Sequence, residues 1–234
     1  MTCAIDHLVV AAHSLAQGVA WCQATLGATP GPGGRHAVMG THNRLLAIAS
    51  PAFPQAYLEI LAIDRDAPAP GRPRWFGLDD AVLQAQLQDA PRLLHAVLRT
   101  DTIEAQRLAL VALGLDPGAL LAVERDTPDG LLSWRILVRA DGQIACAGAL
   151  PTLIQWQGRH PAAGMALSPV ALRKVALGRL SAPVAGVLRL QGAAVNTNTG
   201  TGTRTSTGIS TRTTGPVLAV TLDTPLGAVA LCCA

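Results

Sequence analysis

Two histidines, two arginines, a threonine and an asparagine crowd into GGRHAVMGTHNRLLAI, Gly33 to Ile48, against an apolar run. An imidazole can ligate a metal or move a proton. A guanidinium can pair with a carboxylate or phosphate, and an asparagine can orient a carbonyl. Two more residues stand out by their neighbours. His7 sits in CAIDHLVVAA, and Glu59 sits between Leu58 and Ile60 in AYLEILAI. A buried imidazole needs a backbone or water partner, or a metal. A buried carboxylate must be solvated, paired, metal-bound or protonated, because an unpaired charge in a core costs several kcal/mol. Glu59 can therefore be a metal ligand, a general base with a raised pKa, or a carboxylate on a half-wet strand.

Strands must carry these side chains. CAIDHLVVAA reads as a strand whose alternation puts Ile5, His7 and Val9 on one face and Leu8 and Val10 on the other. Ser14 can cap the helix LAQGVAWCQATLG, which Gly27 ends. After the turn TPGPGG, the segments HAVMG, THNRLLAIA and AYLEILAID read as strands. In an unbroken strand His36, Val38, Gly40, His42 and Arg44 share a face, with Thr41 and Asn43 on the other. Gly40 invites a break or bulge, so either set can face a cavity.

A Pro-rich connection, RDAPAPGRPRW, leads into a similar order. RLLHAVLRT reads as a strand, Asp101 as a cap, TIEAQRLALVALG as a helix, and LLAVERD, LLSWRILVR and PTLIQWQ as strands. Leu26-Gly27 and Pro30-Gly31 recur as Leu113-Gly114 and Pro117-Gly118 at one common spacing, a weak internal repeat. The expected fold class is α+β: tandem β-α-β-β-β units, residues 1–66 and 67–165, forming a curved mixed sheet around a cavity. Residues 166–234 make a partial third unit, with LRKVALGRL a strand, PVAGVLRLQG a short helix and PVLAVTLDTPLGAVAL a hairpin. The Thr/Gly-rich stretch 196–215 has nothing to bury and reads as a loop.

Composition narrows the function. The chain has 234 residues, enough for a proper core, and half of them are apolar. The net charge of +3 is carried by scattered cations, and only 3% of residues are aromatic, so nucleic-acid binding is not expected. No apolar run is long enough for a membrane span, and the N-terminus lacks the basic region of a signal peptide. Five cysteines without metal-type spacing suit reduced thiols in a cytoplasmic protein. There is no G-x-S-x-G elbow, no P-loop and no strand-linked G-x-G-x-x-G.

The opening IDHLVV and the duplicated β-α-β-β-β order resemble the vicinal-oxygen-chelate superfamily of glyoxalase, bleomycin-resistance and dioxygenase proteins. Within it, GGRH, GTHNRLL, YLEIL and LIQWQGRHP resemble the glyoxalase-like domain family, over roughly residues 4 to 190. The resemblance implies a cavity closed by two units, with metal ligands on the first and last strand of each. It makes His7 and Glu59 the candidate ligands of one divalent metal, with Glu59 also catalytic. It makes Arg35, His36, Thr41 and Asn43 the substrate contacts, faced by Gln155 and Trp156, with His160 beside them and Trp75 at the rim.

The set departs from metal-dependent relatives. The spacing that aligns the helix ends places His95 against Leu8, not His7, and Gln155 stands near the position where an acid is expected. A ring-cleaving iron enzyme, which needs two histidines and a carboxylate, is disfavoured. Two functions follow. One is a metal-assisted lyase or isomerase acting on vicinal oxygens. The other is a metal-free protein that binds or sequesters a small molecule. A subunit with a vestigial cavity is a third. A homodimer is the expected assembly.

Overall fold

The computed structural model describes residues 2–128, 130–192, 194–196 and 215–233. The first unit contains β1 (Cys3–Ala11), α1 (Leu15–Leu26), β2 (Arg35–His36), β3 (Thr41–Ala47) and β4 (Tyr57–Ile63). A helix, α2 (Ala81–Asp89), precedes the second, which contains β5 (Arg92–Arg99), α3 (Ile103–Ala112), β6 (Ala119–Thr127), β7 (Gly130–Val138) and β8 (Thr152–Gln157). The strands lie in the order β2-β3-β4-β1-β5-β8-β7-β6. In each unit the first strand pairs parallel with the last, β1 with β4 and β5 with β8, while the middle strands pair antiparallel. β1 and β5 join the units antiparallel, and the exchange is symmetric: His7 lies opposite Val97, and Val9 opposite His95. The architecture is therefore a curved mixed sheet of tandem β-α-β-β-β units with flanking helices.

Local chemistry sets the helix ends. The Ser14 hydroxyl accepts from Gln17 N at 3.2 Å, and Gly27 closes α1 in the left-handed region, as the sequence indicates. α3 begins one residue later than expected: Thr102 is its N-cap, and Asp101 precedes it. HAVMG is not a strand. Ala37–Met39 form a 3-10 turn that Gly40 ends at φ 56°. α2 starts at Asp80, whose carboxylate accepts from Val82 N and Leu83 N.

The convex face of the sheet is apolar and covered. Leu8, Val10, Leu58, Ile60 and Leu98 pack there against Cys22 and Leu26 of α1 and Ile103 and Leu110 of α3. Beyond residue 165 come β9 (Ala171–Gly178), α4 (Ala182–Leu188), β10 (Leu190–Gln191), β11 (Ala194–Asn196), β12 (Leu218–Thr224) and β13 (Gly227–Cys233). β11-β9-β12-β13 form a second sheet that joins the same core through Val175, Leu177, Val220 and Leu222, while β10 extends β1. Most of the Thr/Gly-rich stretch, 197–214, lies outside the described residues. The five cysteines are free, and no described helix is long and apolar enough to cross a membrane. The concave face holds a second core of Val9, Leu61, Phe76, Val97, Trp134 and Ile154, around which the polar residues gather.

Candidate functional site

Two β-bulges decide which side chains reach the concave face. In β1 Ile5 opposes Leu98 and His7 opposes Val97, so Asp6 has no partner across the strand. The extra residue reverses the alternation. Ile5 joins Leu8 and Val10 in the convex core, contrary to simple parity, while Asp6 and His7 both turn inward. Asp6 is fully buried and its carboxylate has three partners. His7 Nδ1 lies at 2.7 Å, Trp156 Nε1 at 2.9 Å and His160 Nε2 at 2.9 Å. His160 Nδ1 accepts from Ala162 N, so His160 donates to Asp6 through Nε2. Burial alone would raise the Asp6 carboxyl. The bonds and charges of His160 and His7 outweigh it and hold Asp6 well below the usual carboxylate range.

With Nδ1–H committed to Asp6, His7 presents Nε2 to Glu59 Oε2, 3.5 Å away. The gap exceeds a good hydrogen bond. Glu59 Oε1 accepts from Asn43 Nδ2 at 2.6 Å. His7, Glu59 and Asn43 are each buried, and His7 stacks on Tyr57 with ring centroids 4.8 Å apart. Burial, then the nearby Asp6 and Glu59, push the Tyr57 hydroxyl well above its ordinary value.

Gly40 settles the face of the polar stretch. The turn it ends interrupts the strand, and the β2–β3 hairpin pairs His36 with Thr41. His36, Thr41 and Asn43 therefore face inward together, whereas His42 is half-buried and Arg44 exposed. His36 Nδ1 lies 3.2 Å from the Thr41 hydroxyl, and its ring meets Trp75 edge-on at 5.0 Å. Burial, with Arg125, His7 and His42 nearby, pushes the His36 imidazole down to about 3, so it is neutral.

Two of the residues read as substrate contacts lie elsewhere. Arg35 has an exposed side chain that pairs with Asp64 at 3.3 Å, outside the cavity, because its strand position is opposite in parity to His36. Gln155 faces the convex side at the start of α3. It accepts from Arg135 Nη2 and donates to Asp101 O. Trp156, one residue on, points inward to Asp6.

The second bulge brings in His95. Val9 opposes His95 and Val10 opposes Leu93, so Leu94 is the extra residue, and His95 occupies the place in β5 that His7 occupies in β1. The slip in the repeat lies at the helix ends. α1 runs 12 residues and α3 runs 10, while each His stands the same distance before its N-cap. His95 Nε2 accepts from Thr152 N at 3.0 Å, and Phe76 covers its ring at 5.6 Å. Burial, with His7 nearby, pushes His95 down to about 3. Thr152 opposes Val97 as Glu59 opposes Val9, so the counterpart of Glu59 in the second unit is Thr152, not Gln155.

Arg125 is the residue that sequence reasoning missed. Its guanidinium arrives from β6, and its Nε and Nη1 are shut off from solvent with no hydrogen-bond acceptor. Burial pulls it below its ordinary value, opposed by the charges of Glu59 and Tyr57. His7, His36, Asn43, Glu59, Arg125 and Trp156 line a small chamber of ≈ 30 Å³. Arg125, Leu45 and Pro161 are shared with an open groove of ≈ 630 Å³. The titratable groups belong to the chamber and most of the space to the groove. No group of three or more His, Cys, Asp or Glu able to hold a metal occurs among the described residues.

Known proteins resemble this chain in sequence and in fold. The model of a glyoxalase-like domain matches residues 5–199. A hypothetical protein from Staphylococcus aureus has a similar structure, with a TM-score of 0.53 and 19% identity over 75% of this chain and 69% of that one. A Streptomyces coelicolor methylmalonyl-CoA epimerase aligns at 19% identity over 67% of this chain and 96% of its own, with a TM-score of 0.42. The Mycobacterium tuberculosis epimerase aligns at 17% over 69% and 91%, with a TM-score of 0.38. No curated protein is similar enough in sequence to count as a relative.

Proposed function

The chain belongs to the glyoxalase-like domain family, and on that premise we propose that it is a small-molecule enzyme of lyase or isomerase type, with Glu59 as its base. One observation carries the reading: Asp6 fixes His7 so that Nε2 confronts Glu59 Oε2 at 3.5 Å, beyond a good hydrogen bond. A lone pair facing a carboxylate is repulsive, so a shared proton or a cation belongs in that gap. The residues fit a divalent cation that takes its other ligands from substrate and water. Imidazole and carboxylate are suitable donors, and a carboxylate behind the imidazole is the usual outer support of a metal-bound histidine. Bound there, such a cation polarises neighbouring substrate oxygens.

The protein's own groups do the rest. Asn43 holds Oε1 of Glu59 and turns Oε2 to His7, where it holds the cation or, with the gap empty, accepts a proton. His36, kept neutral, adds no competing charge beside it. Trp134, Trp156 and Phe76 line the chamber, and their apolar rings strengthen the charges beside them.

Cation binding to the purified protein tests this. Wild type is expected to bind one equivalent of Zn²⁺ or Mn²⁺, and Glu59→Gln and His7→Ala are expected to lose it. Equal binding by all three proteins would remove the basis of the reading. A metal-free binding protein is the second reading. It is favoured by the donor count, since Thr152 replaces a carboxylate and His95 is capped. Ligand affinity that survives a chelator supports it, and strict metal dependence excludes it.

A further inference from the structure

Arg125 has no structural reason to be where it is. A buried donor is normally paired, and an unpaired one costs about 1–3 kcal/mol, more when charged. Nε and Nη1 of Arg125 are both sealed and both unpaired. Glu59 and Tyr57 lie close enough to favour its charge, yet neither bonds these two nitrogens. The backbone is shaped around the group. A Cβ on Gly34 would lie 2.5 Å from Nη1 and 2.7 Å from Cζ, so only glycine lets the guanidinium rest there. With Leu45 and Pro161, Arg125 also lines both the chamber and the groove.

The groove defines the rest of the ligand. Its walls include Leu45, Leu132, Met165 and Leu167, the last fully exposed, and no acidic side chain is among its described lining residues. Apolar walls ending on a guanidinium suit an amphipathic anion, whose head pairs with the guanidinium edge turned to the groove. Charge sets the head. Arg125 offers one positive charge and Glu59 stands nearby with a negative one, which favours a singly charged head at that end, while Arg159 lines the groove elsewhere.

We infer that Arg125 anchors the carboxylate of an amphipathic monocarboxylate whose apolar body lies in the groove between β3 and the 161–169 segment. As the substrate class of the proposed enzyme this rests on that reading, because it delivers the carbon beside the carboxylate to Glu59. As a binding site it does not.

Calorimetric titration of the full chain with octanoate, octanol and octyl phosphate tests it, with and without EDTA. Octanoate is expected to bind in both conditions, and octanol about ten- to hundred-fold more weakly, the range of a bond to a charged group. Octyl phosphate is expected to bind more weakly than octanoate. Arg125→Gln is expected to lose octanoate by a similar factor without lowering the melting temperature. Arg125→Lys, which keeps the charge but not the fork, is expected to fall between, and it serves as the variant should the glutamine protein not fold. No octanoate binding, equal octanoate and octanol affinity, tighter octyl phosphate, or unchanged affinity in both variants would each overturn the assignment. Octanoate binding through Arg125 in a protein that takes up no cation would sink the enzyme reading and leave this one standing.

Discussion

Acid should destabilise this protein well above the range in which carboxylates titrate, and His36 and His95 are the reason. Both imidazoles are buried and pushed down to about 3. In the unfolded chain each titrates near 6.5. Between those values the unfolded state binds the extra proton and the folded state does not, so stability falls as pH drops through the window. At pH 5 the unfolded chain has gained about 1.5 pH units of protonation per histidine, about 2 kcal/mol each and about 4 kcal/mol together. That figure holds even if either folded value lies a unit higher, because pH 5 remains above it. For a chain of this length, about 4 kcal/mol corresponds to a melting temperature about 8–16 °C lower.

The assay is urea denaturation from pH 7 to pH 5, repeated on His36→Gln and His95→Gln. Each variant should start less stable and lose about half of the slope. A wild-type slope near zero, or one unchanged in both variants, would refute the claim that these rings are held neutral. Asp6 does not confuse the measurement. Its carboxyl is depressed, so its contribution is complete above the ordinary aspartate value and is lost only as pH falls further, towards its folded value.

Asp6→Asn should cost about 3 kcal/mol at pH 7, because an amide cannot accept from His7, Trp156 and His160 at once. Equal urea midpoints would show that the triple acceptor is unimportant. Gly18→Ala should destabilise the chain despite the better helix former. The new Cβ would fall 2.2 Å from Ile60 Cγ2, and overpacking costs about 1–3 kcal/mol against a propensity gain of about 1 kcal/mol. A higher melting temperature would refute it.

Much of the scaffold was legible because its signals are local. Ser14 and Gly27 are capping residues in the right places, and the apolar runs of β1, β3 and β4 end at turns. The inward set of His36, Thr41 and Asn43 rested on family resemblance, since parity alone left the face open until Gly40 was seen to break the strand. The Asp79-Asp80 step before AVLQAQLQD carried a cap signal for α2 that the Pro-rich context obscured. Asp6 was hidden by its bulge, which no rule of alternation anticipates. Arg125 was hidden because β6 reads as a half-wet strand. Only the closure of two units and the absence of a side chain at Gly34 turn that arginine inward.

The same closure sets the two halves of the site apart. His7 and His95 hold equivalent places on paired strands, so the backbone supplies both halves alike. In the first half the neighbour on the last strand is Glu59, and the Asp6 at the bulge frees Nε2 to face it. In the second half the neighbour is Thr152, whose backbone N–H occupies Nε2, and the bulge residue is Leu94, which offers the ring no acceptor. Phe76 then covers His95 from a left-handed backbone conformation at φ 58°, a strained state for a residue with a Cβ. Such strain persists only where packing outweighs it. Among the described residues the outcome is a chamber with one Asp–His–Glu line and an arginine with two unpaired nitrogens, and on the function proposed above the chemistry belongs to the first unit and draws binding energy from the second.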